Sequence, residues 1–232
     1  MVLGQEALVL FRANDHAWGT AQELSNLADT ALYQGDLASA RPLYEESLRL
    51  RRLVGDRRGI GVALNSLALL RGRTGELDVA RELAAEALAL RRDLGDRRGI
   101  GGSLFALGCV ALWGGDLDQA EHLARESLVV RSDLGDRLGI ACCLEVLGEA
   151  AFARAQHARA ARLLTTAADE RAAINAPVPP LDRERVERIM AALATHQNPE
   201  TTEGTVSATV DAELRAHLPG ASPASLSRRS RR

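Results

Sequence analysis

Three groups of residues in this 232-residue chain are of types that chemistry uses: five histidines, three cysteines and several segments rich in Gly and Arg. The histidines are His16, His122, His157, His196 and His217, and they share no spacing that would assemble a metal site or position a catalytic base. Cys109, Cys142 and Cys143 form no C-x-x-C pair and have no second Cys or His cluster at zinc-like spacing. They read as reduced thiols of a cytoplasmic protein, small buried hydrophobes rather than ligands. Gly99-Ile100-Gly101-Gly102 and the Asp-Arg-Arg-Gly segments suggest phosphate cradles, but they follow helices rather than strands, which removes the dinucleotide reading. The chain has no lysine, so its 29 basic side chains are all Arg. A P-loop lysine and a Schiff-base lysine are thereby excluded. With no nucleophile elbow either, the residue types point away from an enzyme and imply no cofactor and no metal.

The elements that would position these residues are helices. Hydrophobic residues make up 46% of the chain and aromatics 3%, so a core must be built mostly from Ala and Leu. Those are strong helix formers, while the β-branched and aromatic residues that strands prefer are sparse. The net charge is −2. The apolar stretches fall short of the roughly 18–20 residues of a membrane span, and Met1 is followed by no basic and apolar leader. No membrane insertion or export is implied.

A forty-residue repeat organises the chain. Gly55-Asp56-Arg57-Arg58-Gly59-Ile60 recurs as Gly95-Asp96-Arg97-Arg98-Gly99-Ile100 and as Gly135-Asp136-Arg137-Leu138-Gly139-Ile140. A second marker keeps the same step: Gly35-Asp36-Leu37, Gly75-Glu76-Leu77 and Gly115-Asp116-Leu117. After each Ile the apolar residues fall at helical spacing, as in Leu64, Leu67 and Ala68. Each repeat therefore reads as two helices. The first closes at Gly35, Gly75 or Gly115, and the second at the Gly of the Gly-Asp pair. Asp56, Asp96 and Asp136 are placed to N-cap the next first helix. Arg51, Arg91 and Arg131 recur with the repeat and read as architectural.

The pattern resembles the tetratricopeptide repeat (TPR). It is carried by Leu24, Leu27, Ala28, Gly35, Ala40, Tyr44 and Ser47, then by Leu64, Leu67, Ala68, Gly75, Ala80, Ala84 and Ala87. Leu104, Leu107, Gly108, Gly115, Ala120, Ala124 and Ser127 continue it, followed by Leu144, Leu147, Gly148, Ala155, Ala160, Leu164 and Ala167. The step of forty exceeds the family's basic thirty-four and is similar to LGN-type and MalT-like arrays, which carry peptide or regulatory partners. The resemblance implies an all-α, right-handed superhelical solenoid of antiparallel helix pairs over residues 1–176. The fourth repeat lacks its turn glycine, which predicts a looser hairpin.

The array should comprise a half-repeat over 1–16 and repeats starting near 17, 57, 97 and 137. Glu6-Ala7-Leu8-Val9-Leu10 aligns with Glu86-Ala87-Leu88-Ala89-Leu90, with Asn14-Asp15 set against Gly95-Asp96. The chain thus reads as the C-terminal part of a longer array, or as one that docks something on its open N-terminal end, a second copy included. Pro177-Val178-Pro179-Pro180 breaks the register, and a capping helix with Val186, Ile189, Met190 and Leu193 on one stripe falls within 177–195. Residues 196–232 read as a linker and a mostly disordered basic tail, with a short helix over Val210–Leu218. Pro-rich spacer and helix together resemble the tail of bacterial ATPase-type transcriptional and signalling regulators, without their NTPase core.

In the TPR family, ligands lie along the concave face formed by the first helices. The resemblance places Gln22, Ser25, Asn26 and Asp29, then Val62, Asn65 and Leu69, on that face. Phe105, Cys109 and Trp113 follow, and then Cys142, Glu145 and Glu149. The amides of Asn26 and Asn65 suit a peptide backbone, Phe105 and Trp113 suit anchoring, and Glu145 with Glu149 suits a basic segment. A protein or peptide partner is expected, as for the sensor arm of a regulator. An apolar small molecule near Phe105, Cys109 and Trp113, and self-association, are the alternatives. Nucleic acid is not an expected partner, since the terminal Arg cluster has no folded reader.

Overall fold

The computed structural model describes residues 2–195 and 206–217. Among these residues all regular structure is helical. Helices α1 (Val2–Ala13), α2 (Ala17–Tyr33), α3 (Leu37–Val54), α4 (Arg57–Arg73), α5 (Leu77–Asp93) and α6 (Arg97–Trp113) are followed by α7 (Leu117–Asp133), α8 (Arg137–Ala153) and α9 (His157–Ala173). Two more, α10 (Pro180–Ala194) and α11 (Val206–His217), complete the described residues. First helices begin at residues 17, 57, 97 and 137, and second helices at 37, 77, 117 and 157.

The two punctuation marks act as their chemistry requires. Gly35, Gly75 and Gly115, and Gly55, Gly95 and Gly135, all adopt the left-handed conformation, with φ between 63° and 83°. The aspartates after them cap the next helix: Asp36 accepts from the Ser39 amide at 3.0 Å, Asp56 from Gly59 at 2.9 Å and Asp136 from Gly139 at 3.1 Å. Two expectations are corrected here. At the start of the chain Asp15, not Asn14, takes the left-handed place, and His16 is the N-cap, its Nδ1 accepting from the Gly19 amide at 2.9 Å. Asp15 and His16 thus stand eighty residues before Gly95 and Asp96, the same offset as residues 6–10 before 86–90, so the half-repeat is in register and only the pairing at its turn moves by one residue. In the fourth repeat Ala155 holds φ at 57°. Its hairpin keeps the turn of the others, at a strain cost of about 1–2 kcal/mol for a non-glycine in that conformation.

The chain forms two compact units, Met1–Gly99 with Pro179–Leu181, and Ile100–Val178 with the rest from Asp182 onward. In the first, α1 packs on α2, α2 on α3, α3 on α4 and α4 on α5. Its core interleaves Leu24, Tyr44, Leu64, Leu67 and Leu70 with Ala28, Ala40, Ala63 and Ala87. Ala40 and Ala80 have no exposed surface. Side chains this short let paired helices approach closely. In the second unit α7 packs on α8 and α8 on α9.

Helix α10 starts on Pro180, whose missing amide costs nothing at a first helical position. Helix α11 begins four residues earlier than expected, inside the stretch read as linker. It lies on α7 and α9, burying Val210 and Leu214, with Thr209 against Thr166 at 3.2 Å. Polar residues in that stripe hid it as a packed element. The linker expected over 196–205 and the Arg-rich tail from 218 onward lie outside the described residues.

Candidate partner-binding face and the arginine clasps behind it

Arg51, on α3, is 3% exposed and ties three helices together. Its Nη1 donates to Asp56 Oδ2 at 2.7 Å, its Nε to Ser47 Oγ at 3.2 Å and its Nη2 to Gln22 Oε1 at 2.9 Å. One Asp56 carboxylate therefore both caps α4 and anchors the arginine. Gly59 has to be side-chain-free, because a Cβ there would overlap Arg51 Nη1 and the Asp56 carboxylate. The arrangement recurs with Arg91 and Asp96 at 3.3 Å beside Gly99, and with Arg131 and Asp136 at 2.9 Å beside Gly139. This close approach accounts for the second Gly of the Gly-Asp-x-x-Gly segments.

Several positions assigned to the concave face meet these arginines. Gln22 serves Arg51, as above. The Arg131 guanidinium lies 5.4 Å from the centroid of the Phe105 ring. Arg171, at the same place in the fourth repeat, donates Nη2 to Glu145 at 3.0 Å and to Cys142 Sγ at 3.3 Å, and its Nε also reaches Glu145. Burial, with Glu145 nearby, pushes the Cys142 thiol up to about 12, so it is protonated at neutral pH and unsuited to metal or nucleophilic chemistry. Glu149 pairs with Arg185 of α10, which also holds Asp182 at 2.9 Å. Burial raises the Glu149 pKa against that pairing. The basic groups that Glu145 and Glu149 were expected to attract are thus supplied by the chain itself.

The remaining positions differ. Cys109 is buried, and Trp113 is half-buried at the end of α6. Asp29 is exposed, but its carboxyl accepts from the buried Tyr44 hydroxyl, and partial burial of that carboxyl raises its pKa. Asn26 is exposed, donating to Glu23 at 3.1 Å and accepting from Gln22 at 3.2 Å. Val62 is 48% exposed. Asn65 and Leu69 are half-buried on the same stripe of α4. The Asn65 Oδ1 atom is buried with no hydrogen-bond partner, and so is Arg91 Nε of the same hairpin. An unpaired buried polar atom costs about 1–3 kcal/mol. The third hairpin also holds two, Ser103 Oγ and Ser132 Oγ, so what sets the second apart is where Asn65 stands, beside the exposed Val62.

Sequence reasoning missed a second constellation, because helix α11 builds it from far along the chain. Glu213, 4% exposed, accepts from Arg125 at 3.2 Å and from Arg159 at 2.9 Å. Glu121 takes Arg125 at 2.6 Å and Arg159 at 3.1 Å. Burial works to raise the Glu121 pKa, but Arg159 and Arg125 outweigh it and hold the carboxyl low. Beside this cluster His217 lies next to His122, ring centroids 5.3 Å apart, with Glu126 on the next turn of α7. Burial and the nearby His122 lower the His217 pKa. The histidines share no spacing along the sequence, yet the fold sets two of them side by side. A cavity of about 230 Å³ under α11 is lined by Arg137, Ile140, Glu170, Val206 and Val210. It is not lined by Phe105, Cys109 or Trp113.

The tetratricopeptide repeat model matches residues 19–93, the stretch from α2 through α5. That stretch is similar to tetratricopeptide repeats, and the fold of the chain is TPR-like. Repeats of this kind generally mediate protein–protein interaction and act as non-catalytic scaffolds. The crystal structure of BtubC (BKLC) from P. vanneervenii is similar to the TPR-like chain at 20% identity and a TM-score of 0.65, covering 96% of this chain and 92% of that one. At such identity the likeness establishes the fold alone. No curated protein gives a significant match. Among the described residues no helix is long and apolar enough to cross a membrane.

Proposed function

We propose that this TPR-like chain is a protein-interaction module that holds a peptide or helix of a partner against the first helices of its repeats. Its strongest contact surface is the stripe Val62, Asn65 and Leu69 on α4, with Asn26 on α2. The observation that carries the reading is the state of the second hairpin, where Val62 is exposed and Asn65 Oδ1 and Arg91 Nε are unpaired. At the equivalent places in other hairpins, arginine, glutamine and serine already satisfy one another. Asn65 Oδ1 and Arg91 Nε are shielded from solvent, so a partner gains its contacts from the exposed Val62 and the half-buried side chains of Asn65 and Leu69. The forty-residue step, of the LGN and MalT-like kind, and the Pro-rich spacer before α10 support a place as the sensor or interaction arm of a cytoplasmic bacterial signalling or transcription regulator. A second reading, self-association through α1, is favoured by the exposure of Val9 and Leu10, 66% and 63%. A mass that rises with concentration would support it.

The test is site-specific photocrosslinking in the host's cytoplasm, with the reactive side chain at position 62 or, as control, at the equally apolar Leu53 on α3, which is 73% exposed. A discrete protein adduct from position 62, absent from position 53 and lost on Asn65→Ala, is expected. The same adducts from both positions would move the site off the first helices and sink the proposal.

A further inference from the structure

We propose that His122, Glu126 and His217 form a binding site for a divalent transition-metal cation of the zinc class, which clips α11 onto α7. His122 and Glu126 stand one helical turn apart on α7, with Nε2 3.3 Å from Oε1. Metal–ligand bonds of about 2.0–2.1 Å in a tetrahedron put neighbouring ligand atoms about 3.3–3.4 Å apart, so this pair already has the required edge. His217 arrives from α11 with its ring tilted 48° to that of His122, and one ligand atom from each of the three residues lies within 4.8 Å of the others. Side-chain rotations moving the His217 donor by about 1.5 Å complete three ligands and leave a fourth position to water.

The donor set selects the ion. Two imidazoles and one carboxylate suit zinc and its neighbours, whereas magnesium and calcium take oxygen ligands. The delivery of His217 is also built in. One turn earlier Glu213 is held by Arg125 and Arg159, and Leu214 is 3% exposed, so α11 is docked by contacts that do not involve the histidine. Burial, with the adjacent His122, also favours the neutral form of His217, the one with a lone pair to give. A cation bound across the two helices stabilises the docked position of α11 by mass action and leaves the ionic cluster beneath undisturbed.

The experiment uses the full chain with Zn²⁺ in calorimetry and Co²⁺ as the optical probe. One equivalent is expected to bind, with the intense visible bands of tetrahedral cobalt and slower amide exchange across α11 in zinc. His217→Ala and His122→Ala are each expected to weaken binding at least about tenfold while the far-ultraviolet spectrum is unchanged. Failure to bind, or affinity unchanged in His217→Ala, overturns the proposal. So does a thiolate-to-cobalt charge-transfer band, which would place the metal on the cysteines.

Discussion

The Arg51 and Arg91 clasps share one skeleton and differ in the side chains around it. Forty residues on from the first hairpin, Gln22 becomes Val62, Ser25 becomes Asn65 and Ser47 becomes Ala87. Arg51 keeps good hydrogen bonds from all three of its nitrogens, while Arg91 reaches Asp96 at 3.3 Å and leaves Nε buried and unpaired. Burial lowers the Arg91 pKa, and Asp96 only partly opposes it. The pair of arginine and capping aspartate is therefore what the first three hairpins share, and the surrounding polar network is optional. The hairpin that gave up its network is also the one that exposes Val62, which fits the general rule that local rules are broken where a surface does something else.

Removing the arginines breaks the comparison most directly. Arg51→Ala takes one partner each from Gln22, Ser47 and Asp56, and is expected to cost about 3–4 kcal/mol, in the range for one partner of a buried ion pair. Arg91→Ala gives up a weaker set and should cost about half as much. Urea midpoints at constant slope measure both. Equal losses would show that the extra hydrogen bonds of Arg51 contribute nothing net.

The next effect tests why the repeat keeps its second glycine. Gly59→Ala pushes a methyl group into Arg51 Nη1 and the Asp56 carboxylate and should cost about 2 kcal/mol, against the gain of up to about 1 kcal/mol that alanine brings to a helix interior. In an Arg51→Ala background the guanidinium is gone, and the Asp56 carboxylate, no longer fixed by it, can turn away from the methyl group. There the same substitution should be neutral or stabilising, so the double-mutant cycle should show coupling of about 2 kcal/mol. Additive behaviour would mean that the glycine is present for some reason other than the clasp.

Most of the fold could be read from the sequence because forty-residue punctuation is local information. A glycine that must turn left-handed and an aspartate that must cap act within a few residues of themselves, as Gly55 and Asp56 do. Ala155 and Asp15 adopt the same turn without glycine, so composition alone misjudged the fourth hairpin and set the wrong residue at the turn of the half-repeat. The candidate face was legible only as a set of positions. Whether Glu145, Cys142, Gln22 or Glu149 is free depends on where an arginine from a later helix points, and Arg171, Arg51 and α10's Arg185 claim them. The pairing of His122 with His217 was beyond reach, since it rests on the docking of α11, whose stripe is broken by Thr209 and Glu213.

The smallest effect restores the missing part of the second clasp. Ser47 Oγ accepts from Arg51 Nε at 3.2 Å while donating to the Ala21 carbonyl at 2.7 Å, and Ser127 Oγ does the same for Arg131 at 3.0 Å and the Gly101 carbonyl at 2.8 Å. Both serines are fully buried, so the fold twice accommodates a hydroxyl at this place, and Ala87, like Ala167, lacks it. Ala87→Ser should therefore accept from Arg91 Nε and donate to the Gly61 carbonyl, the equivalent of Ala21 and Gly101. Satisfying one buried charged donor is expected to raise stability by about 1 kcal/mol, read as a higher urea midpoint. A lower midpoint would mean that α4 and α5 have closed over the space the hydroxyl needs. The second hairpin would then be a differently packed structure, and not the first one with a part removed.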